Sequence, residues 1–197
     1  MIPLWDIGNV LVDWNPAKIL ASLQGSDAHI AILQRELFDH PDWLNLDRGT
    51  VTEEAVTQRL TNECGLPADL VASGFRASRE LLDPIDRTIE LVRQIRTAGV
   101  PMYVLSNMSH STWDHLNGRE CFDWFEGIVI SAQEQLVKPD PDIFHLVADR
   151  YSLNHADMVF IDDSEANIAT AAQLGFKTVH FKRSEDCYAA IKQHVLS

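Results

Sequence analysis

The feature that most constrains the fold is an alternation of short apolar runs and helical patterns from residue 84 onward. The apolar runs are Val100–Leu105, Ile128–Ile130, Met158–Ile161 and Thr178–Phe181. Strands that alternate with helices form a parallel sheet with helices on both faces. The N-terminal run Ile2–Trp5 has the same character and is predicted to join that sheet. We therefore predict an α/β fold built on a doubly wound parallel sheet.

A long helical block interrupts this alternation after the first strand. The candidate helices are Pro16–Gln24, Asp27–Phe38, Thr52–Cys64 and Pro67–Leu82. Asn15 followed by Pro16 is typical of a helix N-cap and first helical position. Since no strand-like alternation occurs in the block, we predict that residues 1–14 and 84–197 form the α/β core. Residues 15–83 are then an inserted α-helical cap.

The charge balance limits the partners of this chain. Lys and Arg number 16 against 29 Asp and Glu, a net charge of −13, and no basic run is present. Nucleic acid and anionic membranes are therefore excluded as expected partners, and an anionic small molecule requires a locally positive site. The three cysteines form no Cys-x-x-Cys pair, and neither a signal peptide nor a membrane-spanning run is evident. We expect a cytoplasmic protein; the sequence does not indicate its oligomeric state.

Polar residues stand where the predicted strands end or a helix begins. They are Asp6, Ser106-Asn107, Lys138 and Asp162-Asp163. Each has an ordinary alternative, such as a helix cap or a solvated lysine. In a doubly wound sheet, however, all four sites converge on one crevice. The adjacent carboxylates repel each other where they are buried, and Mg²⁺, which prefers oxygen ligands, would relieve that repulsion.

These residue types suit phosphoryl transfer. Asp6 could act as a carboxylate nucleophile, while Ser106 and Lys138 hold the transferring oxygens. A Mg²⁺ ion between Asp6 and Asp162 would screen the approach of one anion to another. The predicted substrate is a small phosphorylated metabolite.

In four motifs the chain resembles the haloacid dehalogenase superfamily of phosphatases. The motifs are Trp5-Asp6-Ile7-Gly8-Asn9-Val10, Val104-Leu105-Ser106-Asn107, Lys138-Pro139-Asp140 and Phe160-Ile161-Asp162-Asp163-Ser164-Glu165-Ala166-Asn167-Ile168. The resemblance implies that Asp6 is the nucleophile and forms an aspartyl-phosphate. It also implies phosphoryl binding by Ser106, Asn107 and Lys138. The implied Mg²⁺ ligands are Asp6, the carbonyl of Gly8 and Asp162, with Asp163 in support.

Gly8 departs from the superfamily pattern. Phosphatases of the superfamily usually carry a second aspartate there, which protonates the leaving alcohol and later activates water. The sequence around Gly8, with Arg48-Gly49, resembles the bacterial α-D-glucose-1-phosphate phosphatase subgroup. That similarity favours a sugar 1-phosphate, whose leaving group needs less protonation. Asp13 and His110 are candidate replacements for the missing acid, although a turn aspartate and a helix-start histidine are the more ordinary interpretations of these two residues.

Three functions remain open at this point. The first is a Mg²⁺-dependent phosphatase, in which Arg48 and Trp43 of the cap either contact the substrate or only pack within the cap. The second is a metal-independent 2-haloacid dehalogenase, which needs no acid for its leaving group. The third is a weak or inactive phosphate-binding protein, for which the absence of an acid at Gly8 is the support.

Overall fold

A five-stranded parallel sheet forms the centre of the molecule. The computed structural model describes all residues from Met1 to Ser197. The strands are β1 (Ile2–Trp5), β2 (Tyr103–Ser106), β3 (Gly127–Ile130), β4 (Met158–Asp162) and β5 (Lys177–His180), in the spatial order β3-β2-β1-β4-β5. The predicted fold class is therefore confirmed.

Helices cover both faces of the sheet and fill the segment after β1. The helices are α1 (Pro16–Ser22), α2 (Asp27–Leu33), α3 (Pro41–Arg48), α4 (Glu53–Cys64), α5 (Ala68–Glu80), α6 (Asp86–Thr97), α7 (His110–Leu116), α8 (Ser131–Glu134), α9 (Pro141–Tyr151), α10 (Glu165–Gln173) and α11 (Glu185–Val195). None of them is long and apolar enough to cross a membrane.

The two faces of the sheet bury separate apolar clusters. Successive side chains of a strand point to opposite faces, so Leu4 and Trp5 enter different clusters. Leu4 packs in the cluster of Phe144 and Phe160, and Trp5 packs in the cluster of Ile161. Burial on both faces explains why these strands appear in the sequence as near-continuous apolar runs.

The strand order reverses at β1. Its neighbours are β2 on one side and β4 on the other, and the chain reaches both by crossovers that contain helices. In open parallel sheets, such a reversal opens a crevice at the carboxyl ends of the strands. Asp6 follows β1 directly and therefore lies at the mouth of this crevice.

The helices α1 to α5 have an apolar core of their own. Its ten buried side chains are Leu20, Leu33, Leu37, Leu46, Val56, Leu60, Leu66, Leu70, Val71 and Phe75. All of them fall between residues 15 and 83. The division into a core and a separate cap that moves remains a prediction.

The sequence prediction was wrong about one helix. No separate helix is predicted for residues 41–48 within the helical block, yet they form α3, which His40 caps at its N-terminus and Gly49 ends at φ +74°. The helix is short, half of its eight residues are polar, and Leu46 is its one buried residue. Its stability comes from packing against other elements, which periodicity within eight residues cannot reveal.

Several boundaries also differ from the prediction, and two of these differences have a clear form. The strand expected over Val100–Leu105 starts at Tyr103. Pro101 has no N–H to give to a neighbouring strand, so the run before Tyr103 cannot pair in full. The helix expected over Asp27–Phe38 turns into a wider π-helical segment at Gln34.

Candidate active site

The structure brings the predicted polar residues together at the carboxyl edge of the sheet. Asp6 comes from the end of β1, Ser106 from β2 and Asp162 from β4, while Lys138 lies in the loop before α9. All four side chains are buried. The backbone N–H of Asp6 donates to the Ile161 carbonyl at 2.9 Å, which fixes the first residue beyond the strand.

Lys138 is the positive centre of this group. Its Nζ lies 2.9 Å from Asp6 Oδ1 and 2.7 Å from Asp162 Oδ2, and it donates to the Leu105 carbonyl at 2.9 Å. Burial lowers the pKa of Lys138, but the two carboxylates outweigh this effect and hold its pKa above the ordinary value. The side chain therefore remains an ammonium and supplies the local positive potential that the acidic surface lacks.

Asn107 fixes the backbone of Lys138. Its side-chain amide donates to the Lys138 carbonyl at 2.9 Å, and its amide oxygen accepts from the Lys138 N–H at 2.8 Å. This reciprocal pair ties the end of β2 to the lysine loop. The Ser106 hydroxyl lies next to Asp6 and lowers the pKa of that carboxyl by hydrogen bonding.

The pKa values of the acidic side chains are displaced upward. Burial raises the pKa of Asp6 to about 7, with the Lys138 ammonium opposing this shift and the Asp162 carboxylate adding to it. Burial also raises the pKa of Asp163, although the hydrogen bond from Asn9 opposes the change. Crowded carboxylates of this kind gain from a nearby cation.

Three carboxylates lie close enough to share one metal ion. One oxygen from each of Asp6, Asp162 and Asp163 falls within 4.8 Å of the other two. If all three are ionised, the Lys138 ammonium leaves the group with two negative charges, which a divalent cation would neutralise. Carboxylate oxygens are hard ligands and suit Mg²⁺. The donor set therefore fits the predicted metal.

The carboxylates are held in place by their neighbours. Asp162 Oδ1 accepts from the Ser164 N–H at 2.7 Å and from Asn167 at 3.1 Å. Asp163 Oδ2 accepts from the Asn9 amide at 2.9 Å. Sequence reasoning gave no role to Asn9 or Asn167, although both stand in the quoted motifs. Their amide groups, close in sequence to Asp6 and to Asp162-Asp163, were the signal available, since amides commonly hydrogen-bond to nearby carboxylates.

A cavity of about 280 Å³ opens above Asp6. It is lined by Asp6, Gly8, Asn9, Val12, Trp14, Trp43, Asp47, Leu82, Asn107, Met108, Thr112 and Asp163. Trp14 and Trp43 stack with their ring centroids 5.1 Å apart and form part of an apolar wall. The predicted substrate contact Trp43 thus lies in the cavity wall, whereas Arg48 does not line the cavity.

Neither candidate replacement for the missing acid lines the cavity. Asp13 is paired with Arg183 at 2.7 Å. His110 is exposed at the start of α7 and borders a neighbouring depression. Sequence reasoning missed Asp47, which does line the cavity and belongs to the unpredicted helix α3. The Gly49 that follows Arg48 was the available signal for the end of that helix.

The fold and the site define a class of protein: hydrolases with a carboxylate at the reversal point of a parallel sheet and a helical insertion after the first strand. Residues 5–175 match the family of haloacid dehalogenase-like hydrolases. The chain belongs to this family, and the resemblance seen in the motifs is confirmed. The glucose-1-phosphate phosphatase subgroup is not specifically supported.

Individual relatives include both phosphatases and dehalogenases. The chain is 27% identical to the sesquiterpene phosphatase astK of Aspergillus oryzae, over 92% of this chain and 89% of that protein. It is 24% identical to an (S)-2-haloacid dehalogenase of Pseudomonas putida, over 54% and 48%. Among solved structures, the HAD family enzyme bt-2542 of Bacteroides thetaiotaomicron, in complex with magnesium and inorganic phosphate, superposes with a TM-score of 0.74. That match has 22% identity and covers 93% of this chain and 95% of that one.

Proposed function

We propose that this hydrolase is a Mg²⁺-dependent phosphatase that cleaves a small phosphorylated metabolite through an aspartyl-phosphate on Asp6. The observation that carries the proposal is the position of Lys138 Nζ, which lies 2.9 Å from Asp6 and 2.7 Å from Asp162. Asp6 lines the cavity together with Asp163, the third carboxylate of the group. An ammonium and a divalent metal site beside one nucleophile suit a dianionic ester.

In this mechanism, an oxygen of Asp6 attacks phosphorus and the bond to the ester oxygen breaks. Lys138 and the Ser106 hydroxyl hold the phosphoryl oxygens as charge shifts onto them. Water then attacks the phosphorus of the aspartyl-phosphate, releases inorganic phosphate and restores the Asp6 carboxylate.

Mg²⁺ would be held by the Asp6 and Asp162 carboxylates and the Gly8 carbonyl, with Asp163 in support. When bound, it supplies electrostatic stabilisation of the phosphoryl group. The charge of the three carboxylates and the lysine supports this assignment, as does the magnesium complex of the structural relative.

The cavity wall bears on the identity of the substrate. Gly8 favours a sugar 1-phosphate, because an anomeric leaving group needs less protonation than an ordinary alcohol. The apolar wall formed by Val12, Trp14, Trp43, Leu82 and Met108 supports a second candidate, an ester of an apolar alcohol. The name of the fungal relative, a sesquiterpene phosphatase, supports the same candidate.

The test is phosphate release with Mg²⁺ from a panel of sugar 1-phosphates, sugar 6-phosphates, long-chain alkyl phosphates and 4-nitrophenyl phosphate. We expect Asp6→Asn to lower turnover of every active substrate by on the order of 10³-fold or more, because the nucleophile is lost. Asp39→Asn is the matched control, since it removes an exposed carboxylate outside the cavity. Equal turnover of sugar 1- and 6-phosphates would count against the sugar 1-phosphate assignment.

Chelation by EDTA separates the phosphatase from a 2-haloacid dehalogenase. Phosphate release should vanish with EDTA and return with Mg²⁺, whereas carbon–halogen cleavage by a carboxylate should survive. Phosphate release that is equal in wild type and Asp6→Asn would instead indicate a contaminating enzyme and favour a non-catalytic binding protein.

A further inference from the structure

The cavity contains one carboxyl group that the mechanism above does not use. The ionisable residues that line the cavity are Asp6, Asp163 and Asp47. Asp6 is the nucleophile, and Asp163 accepts from Asn9 beside the metal site. Asp47 comes from the helical insertion and approaches the cavity from α3, while the other two follow strands of the sheet.

Several contacts hold Asp47 over the end of the sheet. The hydroxyl of the fully buried Ser131 donates to the Asp47 carbonyl and accepts from the Met108 N–H at 2.8 Å. Ser131 thus ties α3 to the loop after β2. At the end of α3, Gly49 lies so close to α8 that a Cβ there would fall 2.5 Å from the Ala132 carbonyl oxygen.

The surroundings of Asp47 keep a substantial fraction of its carboxyl groups protonated near neutral pH. Burial raises the pKa of Asp47 to about 7; the Ser109 N–H and the Lys138 ammonium oppose the shift, and the Asp6 carboxylate adds to it. A neutral carboxyl can approach a dianionic ester without repulsion and can give up a proton there. General acids work best when their pKa lies near the operating pH.

On the premise that the proposed phosphatase function holds, we propose that Asp47 is the general acid and base of the reaction, supplying from the insertion the group that Gly8 lacks. In the first step, Asp6 attacks phosphorus, the bond from phosphorus to the ester oxygen breaks, and that oxygen takes the proton of Asp47 and leaves as an alcohol. In the second step, the Asp47 carboxylate takes a proton from water as the water oxygen attacks the aspartyl-phosphate. Inorganic phosphate leaves, Asp6 regains its carboxylate, and Asp47 is again protonated.

The test compares two esters of similar shape that differ in their need for an acid: benzyl phosphate, with a basic leaving oxygen, and 4-nitrophenyl phosphate, with a weakly basic one. For Asp47→Asn we expect kcat/KM to fall by about 10² to 10⁴-fold on benzyl phosphate and by less than about threefold on 4-nitrophenyl phosphate. With the latter, kcat should also fall, after a burst of one nitrophenolate per enzyme, because hydrolysis of the aspartyl-phosphate loses its base. Asp39→Asn should leave kcat/KM and kcat unchanged on both esters.

A second measurement needs no variant. In the wild type, kcat/KM for benzyl phosphate should fall as pH rises above about 7, because Asp47 loses its proton, while 4-nitrophenyl phosphate should lack that dependence. Equal losses on both esters in Asp47→Asn, or no loss on either, would overturn the role of Asp47. If Asp6→Asn leaves phosphate release unchanged, the phosphatase function itself fails, and this outcome is distinct from a failure of Asp47 alone.

Discussion

At the scale of single residues, Gly8 and Asp47 form a contrast. A Cβ built at Gly8 meets no heavy atom within 4 Å, so packing does not require glycine at that position. Besides Asp6 and Asp163, the cavity has a third carboxyl group in its lining, which comes from residue 47, far from Gly8 in sequence. In the proposed mechanism, the general acid and the nucleophile therefore come from different structural elements.

The raised pKa of Asp47 should make the stability of the protein depend on pH. Its pKa is raised in the folded state, so the folded protein binds more protons than the unfolded chain between about pH 4 and 7. The wild type therefore loses stability as pH rises through that range. Asp47→Asn, which carries no charge at any pH, should gain relative to the wild type by up to about 1.4 kcal/mol per pH unit.

Urea denaturation of both proteins at pH 5 and pH 8 measures this difference. Asp39→Asn serves as the control, because an exposed carboxylate has little reason to change its pKa on folding. A gap between Asp47→Asn and wild type that is the same at both pH values would show that Asp47 ionises normally in the folded protein.

At the scale of elements, α3 supplies two of the side chains that line the cavity. It contributes both Trp43 and Asp47, and it lies against α8 through Ser131 and Gly49. A displacement of α3 therefore moves an apolar wall and a carboxyl group together.

Two glycines allow this docking to be tested. Gly49 and Gly65 both end a helix with positive φ, at +74° and +67°, but a Cβ at Gly65 meets nothing within 4 Å. Gly65→Ala should cost about 1 kcal/mol from the left-handed backbone alone. Gly49→Ala should cost at least about 1 kcal/mol more, because its methyl group clashes with the Ala132 backbone.

Thermal or urea unfolding measures the stability of both variants, and turnover of 4-nitrophenyl phosphate shows whether α3 has moved. We expect reduced turnover for Gly49→Ala and near wild-type turnover for Gly65→Ala. Equal losses of stability in the two variants would mean that α3 is not tightly docked on α8.

The sequence predicted the sheet far better than it predicted α3. Buried strands such as β4 appear in the sequence as apolar runs whatever surrounds them. Asp6, Ser106 and Lys138 could be predicted as site residues because each stands where a predicted strand ends or a helix begins. The position of Asp47 depends on contacts with residues 108 and 131, far along the chain. No local pattern encodes such contacts, so Asp47 could not be derived from the sequence, although Trp43 of the same helix was among the predicted substrate contacts.

At the scale of the whole molecule, the sheet concentrates negative charge at one edge of a protein that is already acidic. Asp6, Asp162 and Asp163 meet there because β1 and β4 are neighbours. Their mutual repulsion opposes folding, and Lys138 relieves it only in part. A bound divalent cation should therefore stabilise the entire fold.

We expect Mg²⁺ to raise the unfolding temperature of the wild type. At 100 times its dissociation constant, a ligand specific to the folded state adds about 2.7 kcal/mol. Asp162→Asn should abolish most of this gain, and Asp39→Asn should keep it. Differential scanning calorimetry with and without Mg²⁺ measures the effect. An unfolding temperature that does not change when Mg²⁺ is added would argue against a metal site.

The stacked indoles of Trp14 and Trp43 have a practical consequence. Trp14 lies where the chain leaves the sheet, Trp43 lies within the insertion, and both border the cavity. Any separation of the two segments, and any ligand that enters between them, changes the surroundings of both rings. The ultraviolet emission of these two indoles should therefore report, without a label, any separation of the two segments and any ligand bound in the cavity.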